Sequence, residues 1–133
     1  MNRREQAKKL KKRGLELWSE IVRARDGCCI MCGKTQYLNA HHWLFRKAHS
    51  VRLSLDTDNG ATLCYSCHIG RIHRDGDGYF ALQLAEKMQA RVGKEKYEQM
   101  IALGAHPTPL SLEEIEEMVA ALRLTLDSFK NNL

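Results

Sequence analysis

The sequence has no long run of apolar residues, and this absence limits the classes of protein to which it can belong. A membrane-spanning helix needs roughly 18 or more consecutive, mostly apolar residues, so no membrane association is predicted. The first residues, MNRREQAKKLKKRG, are basic but are not followed by an apolar segment, which disfavours a secretory signal. Internal repeats and low-complexity tracts are also lacking. The 133 residues therefore predict one compact cytoplasmic domain with a helical appendage.

The sequence also lacks the even cysteine count of a disulfide framework. It has five cysteines, and an odd number in a chain without a secretion signal disfavours disulfides. Four of them form two C-x2-C pairs, Cys29 with Cys32 and Cys64 with Cys67, which are separated by 31 residues. Four thiolates complete the tetrahedral shell of a structural Zn2+ site, which leaves no open position for catalysis. Cys28 is then the spare cysteine, and its pairing with Cys32 in a C-x3-C arrangement is the alternative.

Three segments of the chain differ in their apolar periodicity. Residues 1–25 have an imperfect helical stripe and predict a basic N-terminal helix or arm. Residues 26–78 hold all the cysteines and five of the six histidines, and short strands are predicted at 37–43 and 60–64. Because this segment is poor in long apolar runs, it needs a staple to fold. Residues 79–133 return to helical periodicity and predict a C-terminal helical extension.

The charge is distributed unevenly along the chain, whose net charge is +5. Residues 1–25 hold nine Lys and Arg against three Glu, whereas the segment from Pro107 onward holds two basic residues against five acidic ones. A basic first segment favours a polyanionic partner such as nucleic acid. The alternative is a Lys/Arg-rich helix that is simply well solvated.

The histidines and an asparagine extend the cysteine pairs into a longer pattern. In sequence order it reads C-x2-C, AHHW at 40–43, DN at 58–59, LCYSCH at 63–68 and a further histidine. This pattern resembles the HNH endonuclease family, in its zinc-stapled branch, over about residues 26–75. The resemblance implies an α+β fold, with a ββα-metal core stapled by a four-cysteine zinc site, an N-terminal helix and C-terminal helices. Phage-encoded, NinG-like members are the most similar in character, which implies the cytoplasm of a bacterial host or a phage-infected cell.

The resemblance also implies a role for each residue of the pattern. His42 would be the general base that takes a proton from the attacking water. His41 would be a ligand of the catalytic metal, in the place where many members carry Asp. Asn59 would orient the base or its loop, and His68 would be the second ligand of the metal.

His73 is the candidate third ligand, but its spacing is unusual. It follows His68 by five residues, where family members often have four. Five positions along a straight α-helix turn a side chain well away from the starting face. Gly70 could permit a distortion that brings the two histidines together again.

The predicted chemistry is hydrolysis of a phosphodiester bond by one divalent ion and a base. The reaction needs an attacking water, a base whose pKa is near the working pH and a cation at the leaving oxygen. Imidazole suits the base because its unperturbed pKa is about 6.5. Since His41 replaces an oxygen ligand, we expect Mn2+, Ni2+ or Co2+ to support activity at least as well as Mg2+, and Zn2+ is a further candidate. The resemblance implies 5′-phosphate and 3′-hydroxyl products.

Basic residues beside the pattern are the predicted contacts to DNA phosphates, and these are Arg46, Lys47, Arg71 and Arg74. The leading hypothesis is therefore a metal-dependent DNA endonuclease or nickase. The alternative is a non-catalytic, zinc-stabilised DNA-binding or assembly module. A zinc nucleobase deaminase is disfavoured because its H-x-E and P-C-x2-C motifs are absent. A homodimer could form through the C-terminal helices.

Overall fold

The computed structural model describes residues 1–45 and 50–132, and within them helices surround a small antiparallel sheet. In chain order the elements are α1 (Arg3–Asp26), β1 (Leu38–His42), α2 (Val51–Ser54), β2 (Gly60–Cys64), α3 (Gly78–Val92), α4 (Lys94–Ala105) and α5 (Leu112–Asn131). A short 3₁₀-helix (Thr57–Asn59) leads into β2, and a π-helix (Ser66–Arg74) follows it. The predicted combination of helices with a two-stranded sheet is confirmed. No helix in the described part of the chain is long and apolar enough to cross a membrane.

Helix α1 begins and ends at clear local signals. Asn2 and Glu5 form a capping box at its start, and Gly27 ends it in the left-handed conformation with φ of 67°. The buried face of the helix packs against α5, where Leu17 and Ile21 contact an apolar cluster that includes Ile115. The N-terminal basic segment is therefore held against the rest of the fold along its length.

The two strands form a hairpin with regular register. Leu38 is opposite Cys64, and His42 is opposite Gly60. All five residues of β2 are buried, because α1 covers one side of the hairpin and the cysteine-containing turns cover another. The hairpin therefore joins the cysteine pairs at one end to the histidine pair at the other.

Asp26, at the end of α1, ties three elements together. Its nearly buried carboxylate accepts hydrogen bonds from the Arg25 side chain at 2.9 Å, from Arg91 of α3 at 2.9 Å and from the Thr62 backbone N–H of β2 at 3.0 Å. Burial alone would raise the pKa of Asp26, but the hydrogen bonds from Arg25 and Thr62 outweigh it and hold the pKa below its usual range. The ionised carboxylate therefore fixes the angle of α1 against the sheet.

The C-terminal helices support the centre from two sides. Phe80, Leu84 and Met88 of α3 pack in one apolar cluster with the buried cysteines. Helix α5 begins at a capping box formed by Ser111 and Glu114 and packs along α1. These contacts give the small hairpin apolar cover that its own residues are too few to supply.

Candidate metal centres and active-site cavity

The four cysteines of the two C-x2-C pairs lie together, with their Sγ atoms within 4.8 Å of one another. The Sγ atoms of Cys32 and Cys64 are 3.5 Å apart. Sulfur ligands at about 2.3 Å from a tetrahedral zinc ion are separated by just under 4 Å, so this geometry fits a metal with little rearrangement. Cys28 is not a member of the cluster, which agrees with its prediction as the spare cysteine.

A tight turn orients the side chains of Cys29 and Cys32. Gly33 has a φ of 82°, which glycine adopts without a steric penalty, and its N–H donates to the Cys29 carbonyl at 2.9 Å. The N–H of Ile30 donates to the Thr62 carbonyl at 3.0 Å and so fastens the turn to β2. The arrangement therefore has the form of a structural site, with four soft ligands and partly buried surroundings.

Three histidines form a second cluster. His41 on β1 lies against His68 and His73 of the π-helix, with ring centroids 5.0 and 5.9 Å away. One nitrogen of each ring lies within 4.8 Å of the others, and the Nε2 atoms of His68 and His73 are 3.0 Å apart. Two nitrogen ligands bound to one ion at about 2.0–2.1 Å are separated by roughly 3 Å, so the donor set fits a shared divalent metal.

The π-helix explains how His73 reaches this cluster despite its five-residue spacing. The wider turn of a π-helix brings residue i+5 back towards residue i, whereas an α-helix would turn it away. The N–H of Asp75 donates to the Gly70 carbonyl, five residues earlier, at 2.8 Å. The distortion that Gly70 was expected to permit is therefore present, and it places His73 beside His68.

Burial keeps two histidines of the cluster, His41 and His68, in the form that binds metal. Burial, helped by the nearby rings of His68 and His73, lowers the pKa of His41 to about 4. Burial and then His73 lower the pKa of His68 as well. His68 also has a buried Nδ1 without a hydrogen-bond partner in the described residues, which an ordered water could supply. At neutral pH His41 and His68 are therefore unprotonated and can act as ligands.

His42 points away from the histidine cluster, as expected for neighbours on a strand. Its ring stacks on Trp18 of α1, with centroids 3.8 Å apart and planes within 3° of parallel. Its Nε2 lies 2.9 Å from the Ser54 carbonyl oxygen at the end of α2. Since a carbonyl only accepts, this contact makes Nε2 the donor and leaves the lone pair of the neutral ring on Nδ1.

The side chains of His41 and His42 nevertheless both line one cavity of about 710 Å³. The strand ends at His42, so the two rings are not held on opposite sides of a continuing sheet. Helix α1, strand β1 and the π-helix all contribute to its lining, which includes Leu15, Trp18, Ser19, His41, His42, His68 and His73. A substrate phosphate could therefore meet the three-histidine cluster and His42 from the same opening.

Asn59 is fully buried and braces the loop that follows β1. Its Oδ1 accepts from the Leu44 N–H at 2.9 Å, and its Nδ2 donates to the Leu53 carbonyl at 3.1 Å. The indole N–H groups of Trp18 and Trp43 donate to the carbonyls of the neighbouring residues 56 and 58, each at 2.8 Å. This network holds the turn before β2 against the residues that carry His42.

The predicted phosphate-binding residues have different surroundings. Arg71 forms an ion pair with Asp77 and lies over the ring of Phe80, with 4.5 Å from its Cζ to the ring centroid. The Arg74 side chain is mostly exposed and lies 3.5 Å from the Asp75 carboxylate. Arg46 and Lys47 lie outside the described residues. Arg71 is therefore held in place by its own neighbours, and Arg74 is the more accessible of the two.

Sequence reasoning missed the contribution of α1 to this cavity. The helical stripe of residues 1–25 predicts a core-facing side of α1, and it gives Leu15, Trp18 and Ser19 no role at the site. No spacing rule links a tryptophan on one helix with a histidine 24 positions later on a strand. The pairing becomes visible only when α1 packs across the hairpin.

The comparisons with known proteins agree with the central pattern. Residues 29–74 match the family model described as HNH endonuclease, which confirms for this segment the resemblance predicted from the sequence. The match contains both cysteine pairs, the histidine pair and both histidines of the π-helix, whereas α1 and α3 to α5 lie outside it. No curated protein and no solved structure gives a significant match to the chain.

Proposed function

We propose that this chain, whose residues 29–74 match the HNH endonuclease family, is a metal-dependent DNA endonuclease or nickase with a ββα-metal core. The observation that carries the proposal is the cavity where His42 and the three-histidine cluster meet. The hairpin and the π-helix would form the ββα unit, and zinc held by the four cysteines would staple it. A family match alone would leave activity open, but the convergence of these side chains favours an enzyme.

His42 is the proposed general base. Its Nε2 donates to the Ser54 carbonyl, so Nδ1 is the nitrogen that would accept a proton from the attacking water. The stack against Trp18 and the hydrogen bond to Ser54 fix the ring in two directions. A base that is already oriented loses little entropy on reaching the transition state. Asn59 would act indirectly, by holding the backbone of the loop next to His42.

His41, His68 and His73 are the proposed ligands of the catalytic ion. When bound, a divalent cation would polarise the phosphate and stabilise charge on the leaving oxygen. Three neutral imidazoles favour Mn2+, Co2+, Ni2+ or Zn2+ over Mg2+, which prefers oxygen ligands. By resemblance to the family, the expected products carry 5′-phosphate and 3′-hydroxyl ends.

DNA is the proposed substrate, and its phosphates would be held by basic residues around the cavity. Arg74 is accessible for such a contact, and Arg71 could make one by exchanging Asp77 for a phosphate. Arg46 and Lys47 keep the same proposed role. A cytoplasmic location, a phage origin and a homodimer through the C-terminal helices remain predictions.

The competing proposal is a zinc-stabilised DNA-binding or assembly module without catalysis. A binding module would need the cysteine cluster for folding and the basic residues for affinity. It would have no need of three imidazoles with two nitrogens 3.0 Å apart beside an oriented fourth imidazole. This arrangement is the observation that favours the enzyme.

The test is cleavage of supercoiled plasmid by the purified, zinc-loaded protein in Mn2+. The wild type should convert the plasmid to nicked or linear form, with ends that DNA ligase reseals without treatment. The His68→Ala variant should bind plasmid but lose most of its cleavage, because a ligand of the ion is removed. Plasmid binding without cleavage by the wild type, with Mn2+, Co2+, Ni2+ and Mg2+ each tried, would instead establish the binding module.

A further inference from the structure

We propose that one face of α1 is a track for the phosphates of duplex DNA that leads into the cavity. The basic track consists of Arg4, Lys8, Lys11 and Lys12. It lies outside the matched family segment, so it would be a binding surface added to the nuclease core by this chain. This inference rests on the proposed function, which makes the cavity the site of cleavage. It adds the position of the duplex that flanks the cleaved bond.

Helix geometry places the basic track on the same side of α1 as the cavity wall. Leu15, Trp18 and Ser19 of α1 line the cavity. Lys11 and Lys12 precede Leu15 by four and three positions, which are the spacings of neighbours on one helical face. Two further four-residue steps, from Lys12 to Lys8 and from Lys8 to Arg4, continue this face to the start of the helix. The basic track therefore extends the cavity wall instead of encircling the helix.

The cations of the basic track are available for a ligand. None of the four forms an ion pair with a carboxylate in the described residues. Two other cations of this part of α1 are already paired, since Arg3 contacts Glu113 of α5 at 2.7 Å and Arg13 contacts Glu16 at 3.1 Å. Lys9 forms no ion pair in the described residues, as is true of the track, but it does not share the face that leads to the cavity wall.

The other sides of α1 are less suited to DNA than the cavity side. Leu10, Leu17 and Ile21 belong to the apolar cluster shared with α5, so that side is covered. Glu5 precedes Lys8 by three positions and Glu16 follows Lys12 by four, so carboxylates border the basic track on the side away from the cavity. A polyanion would therefore meet the cations of the basic track most favourably from the cavity side.

The length of the track matches a short stretch of duplex. From Arg4 to Ser19 the helix rises by roughly 22 Å, at about 1.5 Å per residue. This distance covers about six base pairs, at roughly 3.4 Å per base pair along each strand. The basic track is therefore expected to hold the duplex on one side of the cleaved bond, by contacts to the backbone that carry no sequence preference.

The experiment compares two variants that lose the same charge. Lys8→Gln/Lys12→Gln removes two cations from the basic track, and Arg123→Gln/Lys130→Gln removes two exposed cations of α5, which lie off it. Binding of a fluorescent 20-base-pair duplex to the zinc-loaded proteins is measured by anisotropy without Mn2+, between 50 and 200 mM salt. Melting temperatures of both variants establish that the fold is kept.

In the Lys8→Gln/Lys12→Gln variant, the slope of log Kd against log salt concentration should be smaller by about 1.8, because two phosphate contacts are removed and each contributes about 0.9. The control variant should lose less than half of that. Equal losses in the two variants, or no loss in either, would overturn the basic track. Plasmid cleavage by the wild type is measured separately. If the wild type cleaves but both variants lose the same salt dependence, only the basic track is refuted. If the wild type does not cleave but only the track variant loses salt dependence, only the proposed nuclease activity is refuted.

Discussion

Substitution of Gly60 by alanine tests the packing that connects α1 with the proposed base. Gly60 is the first residue of β2 and lies opposite His42. A Cβ at this position would lie 2.3 Å from Cγ2 of Val22 and 2.9 Å from the ring of Trp18. Both neighbours are buried, and Trp18 is anchored by its stack on His42. The methyl group therefore cannot fit unless α1 or its tryptophan moves.

The expected cost follows from the tightness of these contacts. Forcing an extra carbon into a packed core costs about 1–3 kcal/mol, and the two short contacts place Gly60→Ala in the upper half of that range. For a chain of this length the melting temperature should fall by roughly 5–12 °C. Because a displaced Trp18 shifts the ring of His42, plasmid cleavage should fall by on the order of 10-fold or more at temperatures where the variant is folded.

Two further variants separate this clash from a general effect of alanine. Gly78→Ala adds a methyl group into open space at the start of α3 and should leave the melting temperature within about 2 °C. Combining Gly60→Ala with Val22→Ala removes the nearest clashing atom, so the double variant should lose less stability than the two single losses added together. A Gly60→Ala variant that melts at the wild-type temperature and cleaves at the wild-type rate would show that this contact does not position Trp18 and His42.

Four other perturbations have definite expected outcomes. Cys64→Ser should abolish binding of one zinc equivalent and the cooperative melting transition, whereas Cys28→Ser should keep both, as read by metal analysis and calorimetry. His73→Ala should weaken Co2+ binding at the second site by more than about 100-fold in titrations followed by visible absorption, and an unchanged affinity would remove His73 from the ligand set. Asn59→Ala should lower the free energy of unfolding in urea by about 2–4 kcal/mol, because the Leu44 N–H and the Leu53 carbonyl lose their hydrogen-bond partner. A loss below about 0.5 kcal/mol would show that Asn59 does not brace this loop. Asp26→Asn should destabilise the protein at neutral pH. Because the pKa of Asp26 is lowered in the folded state, its contribution to the free energy of unfolding is present above the unfolded pKa of about 3.9 and is lost as the pH falls through the folded pKa. The stabilities of the wild type and Asp26→Asn should therefore converge in acid. A stability difference that stays constant with pH would refute this.

The cysteine cluster could be predicted because its signal is local. Each C-x2-C pair defines a turn by itself, and two such pairs in one short segment complete a single four-thiolate shell. The hairpin was also predictable, since the predicted strands at 37–43 and 60–64 correspond to Leu38–His42 and Gly60–Cys64. In both cases short-range chemistry decides the structure.

The position of His73 could not be decided from the sequence. The spacing of five was judged against α-helical geometry, in which His73 would face away from His68. The segment instead forms a π-helix, which depends on how its backbone is held between β2 and α3. Helix type is set here by tertiary contacts, and propensity does not encode them.

The role of α1 was hidden for a different reason. Trp18 has the spacing of an ordinary core residue, and its stack on His42 depends on the crossing of α1 over the hairpin. Arg71 shows the converse case, in which a residue with the position of a phosphate contact is engaged by Asp77 six residues later. Contacts between distant elements are what a single sequence specifies least directly.

The central claim is that His42 acts as a base beside a metal held by histidines, and one rate comparison tests it most directly. The quantity is the single-turnover rate of supercoiled plasmid loss in saturating Mn2+, for the wild type and for His42→Ala with equal zinc content and equal plasmid affinity. If His42 is the base, the wild type cleaves the plasmid and the rate of the variant is lower by about 10²–10⁴-fold. Equal rates for the two proteins would contradict it.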